Sequence, residues 1–150
     1  MRIKRFAIIL LAIILSITSC AERVSAEHVL AQFCREYPAS AEIYSSLSAK
    51  GEAGYIDREM LLALFGSDEY PTREFALVFY GKLDTVRELG VFVTENGDDV
   101  IEITELLARR ISFLSAFSEG EGFIRKYRGV LVYGFVEDSA YVQEILDGIL

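Results

Sequence analysis

The stretch that decides the fold is "REFALVFYGKLDTVRELGVFVT", residues 73–94. Its first half is apolar at both sets of alternating positions: Phe75, Leu77 and Phe79 on one face, Ala76, Val78 and Tyr80 on the other. This pattern is typical of a strand inside a sheet that is covered on both faces. The second half alternates apolar residues with Glu88 and Thr94, which predicts an edge strand with one wetter face. The short "KLDT" between them predicts a turn, so the two strands are expected to be antiparallel.

A third strand and four helices are predicted from the rest of the chain. "GVLVYGFVE", residues 129–137, is again apolar on both faces and predicts a strand. Apolar residues at helical spacing predict helices over 25–37, 57–65, about 100–117 and 139–149. The candidate caps of these helices are, in order, Ser25, Asp57, Asp99, and either Asp138 or Ser139. Residues 38–56 give the weakest pattern, in which Ile43, Tyr44 and Leu47 predict one or two helical turns.

These elements predict an α+β fold. The long helix over 100–117 returns the chain, so the third strand is expected to run in the direction of the second. If the third strand lies beside the first, every neighbouring pair in the order 2-1-3 is antiparallel. We therefore expect a small three-stranded antiparallel sheet in the order 2-1-3, packed with about four helices, in a single domain over residues 25–150.

The start of the chain has the features of a secretory signal peptide. Arg2, Lys4 and Arg5 precede the uncharged run "FAIILLAIIL" at residues 6–15, which is the order of regions in such signals. A permanent transmembrane helix requires about 20 apolar residues, and this run is much shorter. The four residues that follow it at 17–20, "ITSC", resemble a bacterial lipobox.

Cys20 is the predicted lipidation site. In the lipobox family of signals, the cysteine sulfur receives a diacylglyceryl group and becomes the new N-terminus. The resemblance implies a signal peptide over 1–19, a short tether over 20–24 and a membrane anchor of acyl chains. A cut after Ala26 also satisfies the small-residue rule and would release a soluble secreted protein. That alternative cut would discard Cys20 together with Ser25, the expected cap of the first helix.

The charge balance excludes some partners. The full chain has 15 Lys and Arg against 23 Asp and Glu. Residues 1–19 hold three basic residues and no acidic one, so the mature body has 12 against 23, a net charge near −11. Such a body is repelled by nucleic acid and by anionic lipid. We therefore expect no nucleic-acid partner and a membrane attachment that comes from the acyl chains.

No catalytic, cofactor-binding or metal-binding residue is predicted. The sequence contains no Gly-x-Ser-x-Gly, HExxH, P-loop or CxxC motif. The single histidine, His28, and the second cysteine, Cys34, lie on the first predicted helix. Glu119 and Glu121 do not indicate a glycosidase-like pair of carboxylates, because such pairs are always available in a chain with 23 acidic residues. "ENGDD" at 95–99 lacks the ligand spacing of a calcium loop. We expect no enzyme, no cofactor and no metal.

Four quoted segments together carry a family resemblance: "LLALFG" at 61–66, "FALVFYGKLDTVRELGVFVT" at 75–94, "ELLARRISFL" at 105–114 and "GVLVYGFVEDS" at 129–139. Following a lipobox, they resemble a family of small bacterial lipoproteins known only as a domain of unknown function. The similarity covers most of the mature chain. The family has no established catalytic residues, so the resemblance implies a location and a fold without an activity.

The sequence therefore predicts a lipid-anchored protein at the outer face of the cytoplasmic membrane that acts as a non-enzymatic binding or interaction module. Its expected partner is an envelope protein or a peptide, with a small ligand as a further alternative. "FIRKYRG" at 123–129 is a local basic and aromatic segment, and Arg and Tyr are common interface anchors. A structural or assembly factor of an envelope complex and a membrane-associated enzyme are the alternative functions.

Overall fold

The computed structural model describes residues 24–37, 41–80, 87–95 and 97–150. Within these ranges the helices are α1 (Ala26–Glu36), α2 (Arg58–Phe65), α3 (Gly97–Ser115) and α4 (Ser139–Ile149). The strands are β1 (Ile43–Ser45), β2 (Phe75–Tyr80), β3 (Arg87–Val93), β4 (Glu121–Tyr127) and β5 (Val130–Val136). None of the helices in the described ranges combines the length and the apolar character needed to cross a bilayer. Cys20 and the signal peptide expected before it lie outside the described residues.

The five strands form one antiparallel sheet in the order β1-β2-β3-β5-β4. The register places Gly90 of β3 between Leu77 of β2 and Tyr133 of β5. The predicted α+β class, the antiparallel sheet and the four helices are confirmed.

The predicted three-stranded sheet in the order 2-1-3 is wrong. The three predicted strands are β2, β3 and β5, and β3 rather than β2 is the middle one of the three. The reason is that part of the segment expected to be a basic connection, residues 123–129, belongs to strand β4. The tight hairpin from β4 into β5 reverses the chain once more, so β5 runs antiparallel to β3 and pairs with it.

The helical turns predicted around residues 43–47 are also wrong, because Ile43–Ser45 form the short edge strand β1. This strand pairs with β2 from Ile43–Val78 to Ser45–Ala76. A serine of this strand bonds to the backbone that follows it: the Leu47 N–H donates to Oγ of Ser45 at 3.2 Å. Serine hydroxyls that bond to nearby backbone compete with helix formation and favour such irregular edges.

The sheet separates two apolar layers, because alternate residues of a strand point to opposite faces. The valine face is covered by α1 and α4, and its strand residues are mostly aliphatic: Ala76, Val78, Leu89, Val91, Val130, Val132 and Val136. The aromatic face is covered by α2 and α3, and its strand residues are larger: Phe75, Leu77, Phe92, Leu131 and Tyr133. Burial of each such side chain contributes about 1.5–3 kcal/mol of hydrophobic free energy.

Capping residues fix where the helices of both layers begin and end. The Asp57 carboxylate accepts from the Met60 N–H at 2.8 Å, and Gly66 ends α2 in the left-handed region with φ 69°. The Asp138 carboxylate accepts from the Tyr141 N–H at 2.9 Å at the start of α4. Asp57 is the cap as predicted, and of the two candidates for α4 it is Asp138 that caps. Ser25 occupies the cap position of α1 without a side-chain hydrogen bond, and Asp99 is not the cap of α3, because that helix already begins at Gly97.

Candidate functional site

The aromatic face carries a carboxylate that is fully removed from water. The prediction that β3 is an edge strand with a wet face is wrong: β3 lies in the middle of the sheet, and Glu88 is 0% exposed. An ionised carboxylate in such a place costs several kcal/mol unless it is paired and hydrogen-bonded. The surroundings of Glu88 therefore have to supply a cation and donors.

Arg110 on α3 supplies the cation. Its Nε donates to Oε1 of Glu88 and its Nη2 donates to Oε2, both at 2.8 Å. Burial lowers the pKa of the Arg110 guanidinium, but the hydrogen bonds and charge of Glu88 outweigh burial and hold that pKa above its ordinary value. The result is a bidentate, charge-assisted pair, which fixes the plane of the guanidinium as well as its position.

Tyr133 on β5 completes the arrangement by donating its hydroxyl to Oε1 of Glu88 at 2.9 Å. Burial, followed by the charge of Glu88, raises the pKa of Tyr133 well above its ordinary value, so the phenol remains a donor. Gly90 makes room for the ring, because a Cβ at that position would lie 2.3 Å from Cε1 of Tyr133. We refer to Glu88, Arg110 and Tyr133 as the buried triad.

Arg110 connects the buried triad to a surface groove between α2 and α3. The groove consists of two adjoining cavities of about 360 and 500 Å³, which share Phe65, Ser67, Leu106 and Arg109. Arg110 lines the larger cavity with its side chain 10% exposed. Glu88 occupies its Nε and Nη2, so Nη1 is the guanidinium nitrogen that Glu88 does not hold. We call this feature the α2–α3 groove.

Large apolar side chains are exposed beside the arginines of the α2–α3 groove. Leu62 is 47% exposed on one wall and Phe113 is 56% exposed on the other. The Phe113 ring centroid lies 4.9 Å from that of Phe117, which is 77% exposed, and 5.7 Å from Cζ of Arg110. Exposed apolar side chains in a cluster commonly mark sites of interaction. Phe117, which lies beyond the last residue of α3, is thus part of this surface.

The two ends of the α2–α3 groove carry opposite charges. The smaller cavity is lined by the acidic residues Glu69, Glu102 and Glu105 together with Arg109. The larger cavity is lined by Arg109 and Arg110 and by no acidic residue. The groove therefore has an acidic end toward the start of α3 and a basic, apolar end toward its last turns.

The candidate residues discussed from the sequence lie elsewhere. His28 is exposed on α1 and lines a separate cleft of about 630 Å³ with Val24 and Leu150. Glu121 accepts from the N–H and the hydroxyl of Ser139 at 3.0 and 2.6 Å, and these bonds lower the pKa of its carboxyl. Glu121 therefore secures the first turn of α4.

Cys34 is partly buried on α1, and burial raises the pKa of its thiol. A raised pKa favours the thiol over the reactive thiolate. Within the described residues, no group of three or more His, Cys, Asp and Glu side chains is placed to hold a metal ion.

Sequence reasoning missed the buried triad. The signal for Glu88 was present: the acid stands two residues before Gly90 on the same strand face, in a segment whose following residues, 89–93, carry no charge. A buried acid requires a cation, but "ARR" at 108–110 offers two adjacent arginines. Only the rotation of α3 on the sheet selects Arg110, and that rotation is a tertiary property.

Comparison with known proteins gave no match: no family model, no curated protein and no solved structure is significantly similar to this chain. The resemblance to small bacterial lipoproteins therefore stays a prediction, which rests on the segments quoted from the sequence.

Proposed function

We propose that the protein is a non-enzymatic binding module, lipid-anchored at the outer face of the cytoplasmic membrane, that binds an envelope protein or peptide through the α2–α3 groove. One observation carries the binding role: exposed Leu62 and Phe113 flank an arginine that a buried carboxylate holds in place. Arginine and aromatic side chains dominate the binding energy of protein interfaces. A groove with apolar walls and a few fixed polar groups is the usual form of a binding site.

The buried triad supports a role in binding more than a role in stability. Replacing a buried ion pair with apolar residues of similar volume is often neutral or stabilising by about 1–4 kcal/mol. The pair between Glu88 and Arg110 is therefore not required to hold the sheet and α3 together. It does hold the Arg110 guanidinium in one orientation at the groove, which lowers the entropy that a partner has to overcome.

The start of the described chain supports cleavage before Cys20 over cleavage after Ala26. Ala26 is 1% exposed, and its N–H donates to Oε1 of Glu74 at 3.0 Å. Val24 packs against the valine-face core. A cut after Ala26 would remove these contacts and the first residue of α1, whereas a cut before Cys20 retains them. The lipobox route thus leaves the folded layer intact.

The anchor is tested by labelling cells that express the full-length protein with a palmitate analogue. Cys20→Ala should abolish the label and move the protein from the membrane fraction to the soluble fraction. Cys34→Ala is the matched control and should keep both the label and the membrane location. Tryptic digestion of wild type should release a diacylglyceryl peptide of residues 20–23. Membrane retention of Cys20→Ala would contradict the anchor.

The binding role is tested with a photo-crosslinking amino acid in intact membranes. We expect a crosslinked adduct when it replaces Phe113 or Leu62 and no adduct when it replaces Tyr141, which is 47% exposed on α4 at the valine-face layer. Arg109→Glu should reduce the adduct without reducing protein abundance. Equal adducts at positions 113 and 141, or none at 113 and 62, would contradict the proposal.

A further inference from the structure

The α2–α3 groove is charged in opposite senses at its two ends, and this restricts the ligand. Resting on the proposed function, we infer that the groove binds an extended polypeptide segment with one basic, one apolar and one acidic side chain at every second position. The basic side chain lies at the Glu69 and Glu102 end, and the acidic side chain lies at the Arg109 and Arg110 end.

The spacing follows from the geometry of α3. Glu102 and Arg110 are separated by eight helical positions, which corresponds to about 12 Å at a rise of about 1.5 Å per residue. An extended chain rises about 3.3 Å per residue, and side chains on one face recur at every second residue. Positions i and i+4 of an extended segment therefore span the two charged ends on the side that faces α3, whereas positions i and i+2 are too close together.

The middle position, i+2, meets the apolar part of the groove. Phe65 and Leu106 line both cavities, as do Ser67 and Arg109, so these four residues lie where the two cavities join. An apolar side chain placed there buries its surface against Phe65 and Leu106. The expected segment therefore has an apolar residue between its two charges.

The basic end suits a carboxylate for two reasons. Glu88 and Tyr133 immobilise the Arg110 guanidinium, and Nη1 is the nitrogen that Glu88 does not occupy. Arg109 stands next to it and is exposed, and it takes part in none of the ion pairs given by the described residues. A uniformly anionic ligand is disfavoured because the opposite end presents Glu69 and Glu102.

The test measures fluorescence anisotropy of labelled, end-blocked pentapeptides with full-length lipoprotein in nanodiscs. The peptides are Lys-Ser-Leu-Ser-Glu and its reverse, Glu-Ser-Leu-Ser-Lys, because the groove does not fix the chain direction. We expect one order to bind at a single site. The preferred peptide with Gln at both ends should bind at least about fivefold more weakly. The preferred peptide with Ser in place of its central Leu should be weakened to a similar extent.

A charge reversal on the protein separates recognition from a structural effect. Arg109→Glu should weaken the preferred peptide about fivefold and should strengthen binding of a peptide that carries Lys in place of Glu. Arg35→Glu makes the same charge change on α1, in the valine-face layer, and should leave both affinities unchanged. Failure of both peptide orders to exceed the Gln-ended control, or no reversal with Arg109→Glu, would overturn the inference.

The outcomes also separate this inference from the proposed function. If position 113 crosslinks a partner but neither peptide order binds, the groove is a binding site and the charge pattern assigned to its ligand is wrong. If neither position 113 nor position 62 gives an adduct in membranes, the proposed function fails, whatever the peptides do.

Discussion

The valine face and the aromatic face are built from alternate residues of the same strands, yet they differ in whether their buried polar groups are hydrogen-bonded. On the valine face, Tyr80 packs against α1, and its hydroxyl is the buried side-chain polar atom that lacks a hydrogen-bond partner in the described residues. On the aromatic face, the Tyr133 hydroxyl is 2.9 Å from a carboxylate that is itself paired with Arg110. One face is a hydrophobic layer, and the other contains a complete polar network.

This difference in polar groups between the two layers indicates which layer we expect to be specialised for binding. In the described residues, the buried contacts that attach α1 and α4 to the sheet are mainly apolar, and the ion pair of α4, Arg125 with Asp147, is exposed. Buried charges are therefore not needed to attach a helix to this sheet. The charges are found instead where exposed Leu62 and Phe113 border a groove. We therefore interpret the aromatic-face layer as the binding side of the molecule and the valine-face layer as its structural side.

The largest expected effect comes from removing the buried acid. Glu88→Ala leaves the Arg110 guanidinium without its partner and should lower the free energy of unfolding by about 3–5 kcal/mol. Glu144→Ala removes an exposed acid from α4 and should change it by less than about 0.5 kcal/mol. Chemical denaturation curves measure both. A loss below about 1 kcal/mol for Glu88→Ala would mean that Arg110 finds another partner.

The next largest difference in stability is expected when a glycine in each layer is replaced by alanine. Gly90→Ala places a Cβ 2.3 Å from Cε1 of Tyr133 and should cost about 1–3 kcal/mol through overpacking. Gly148→Ala on α4 meets no atom within 4 Å and should stabilise by about 0.5–1 kcal/mol, because alanine loses less entropy in a helix. Thermal unfolding should therefore shift in opposite directions. A shift of the same sign in both variants would argue against the close approach at Gly90.

Removing the hydroxyl of one buried tyrosine on each face is expected to give a smaller difference in stability between the faces. Tyr133→Phe removes a donor from a buried carboxylate and should lower the free energy of unfolding by about 1.5–3 kcal/mol. Tyr80→Phe removes a hydroxyl without a partner, so it should be neutral or slightly stabilising. Urea denaturation at neutral pH measures both. Equal losses in the two variants would contradict the contrast between the faces.

The smallest effect concerns ionisation of Tyr127 beside the valine face. Burial, followed by the 2.9 Å hydrogen bond to Asp147, raises the pKa of Tyr127 to about 12. An unfolded tyrosine has a pKa of about 10, so the stability that this group contributes is present below pH 10 and is lost as the pH rises toward 12.

Asp147→Asn should bring the pKa of Tyr127 part of the way back toward 10, because burial, the larger cause, remains. A ¹³C titration of labelled tyrosine rings, assigned with Tyr127→Phe, measures the change. An unaltered Tyr127 titration in Asp147→Asn would show that the carboxylate does not contribute.

The parts of the fold that local pattern determines were predictable. Two-sided apolar alternation identified β2, and the positions of Asp57 and Gly66 marked the two ends of α2. β4 was missed because it is an edge strand: it is exposed at Arg125 and Lys126 and lacks the continuous apolar pattern of an inner strand. That one omission reversed the expected direction of β5 and so misplaced it.

The candidate site was not predictable, for a different physical reason. Glu88 and Arg110 lie 22 residues apart on a strand and a helix, and they meet only when α3 packs on the sheet. Alternation along β3 distinguishes two faces, but it does not reveal whether the face that carries Glu88 meets water or an arginine. The helix predicted to about residue 117 ends at Ser115, and Phe117 beyond it is exposed beside Phe113.

We propose that the buried triad serves the groove and not the stability of the fold. The most direct test of this proposal is the triple variant Glu88→Leu, Arg110→Met, Tyr133→Phe, which replaces the network with apolar groups of similar volume. We predict a free energy of unfolding within about 1 kcal/mol of wild type, or higher, together with loss of the crosslinked adduct at position 113. A folded variant that still forms the adduct, or a loss of more than about 3 kcal/mol, would contradict the claim.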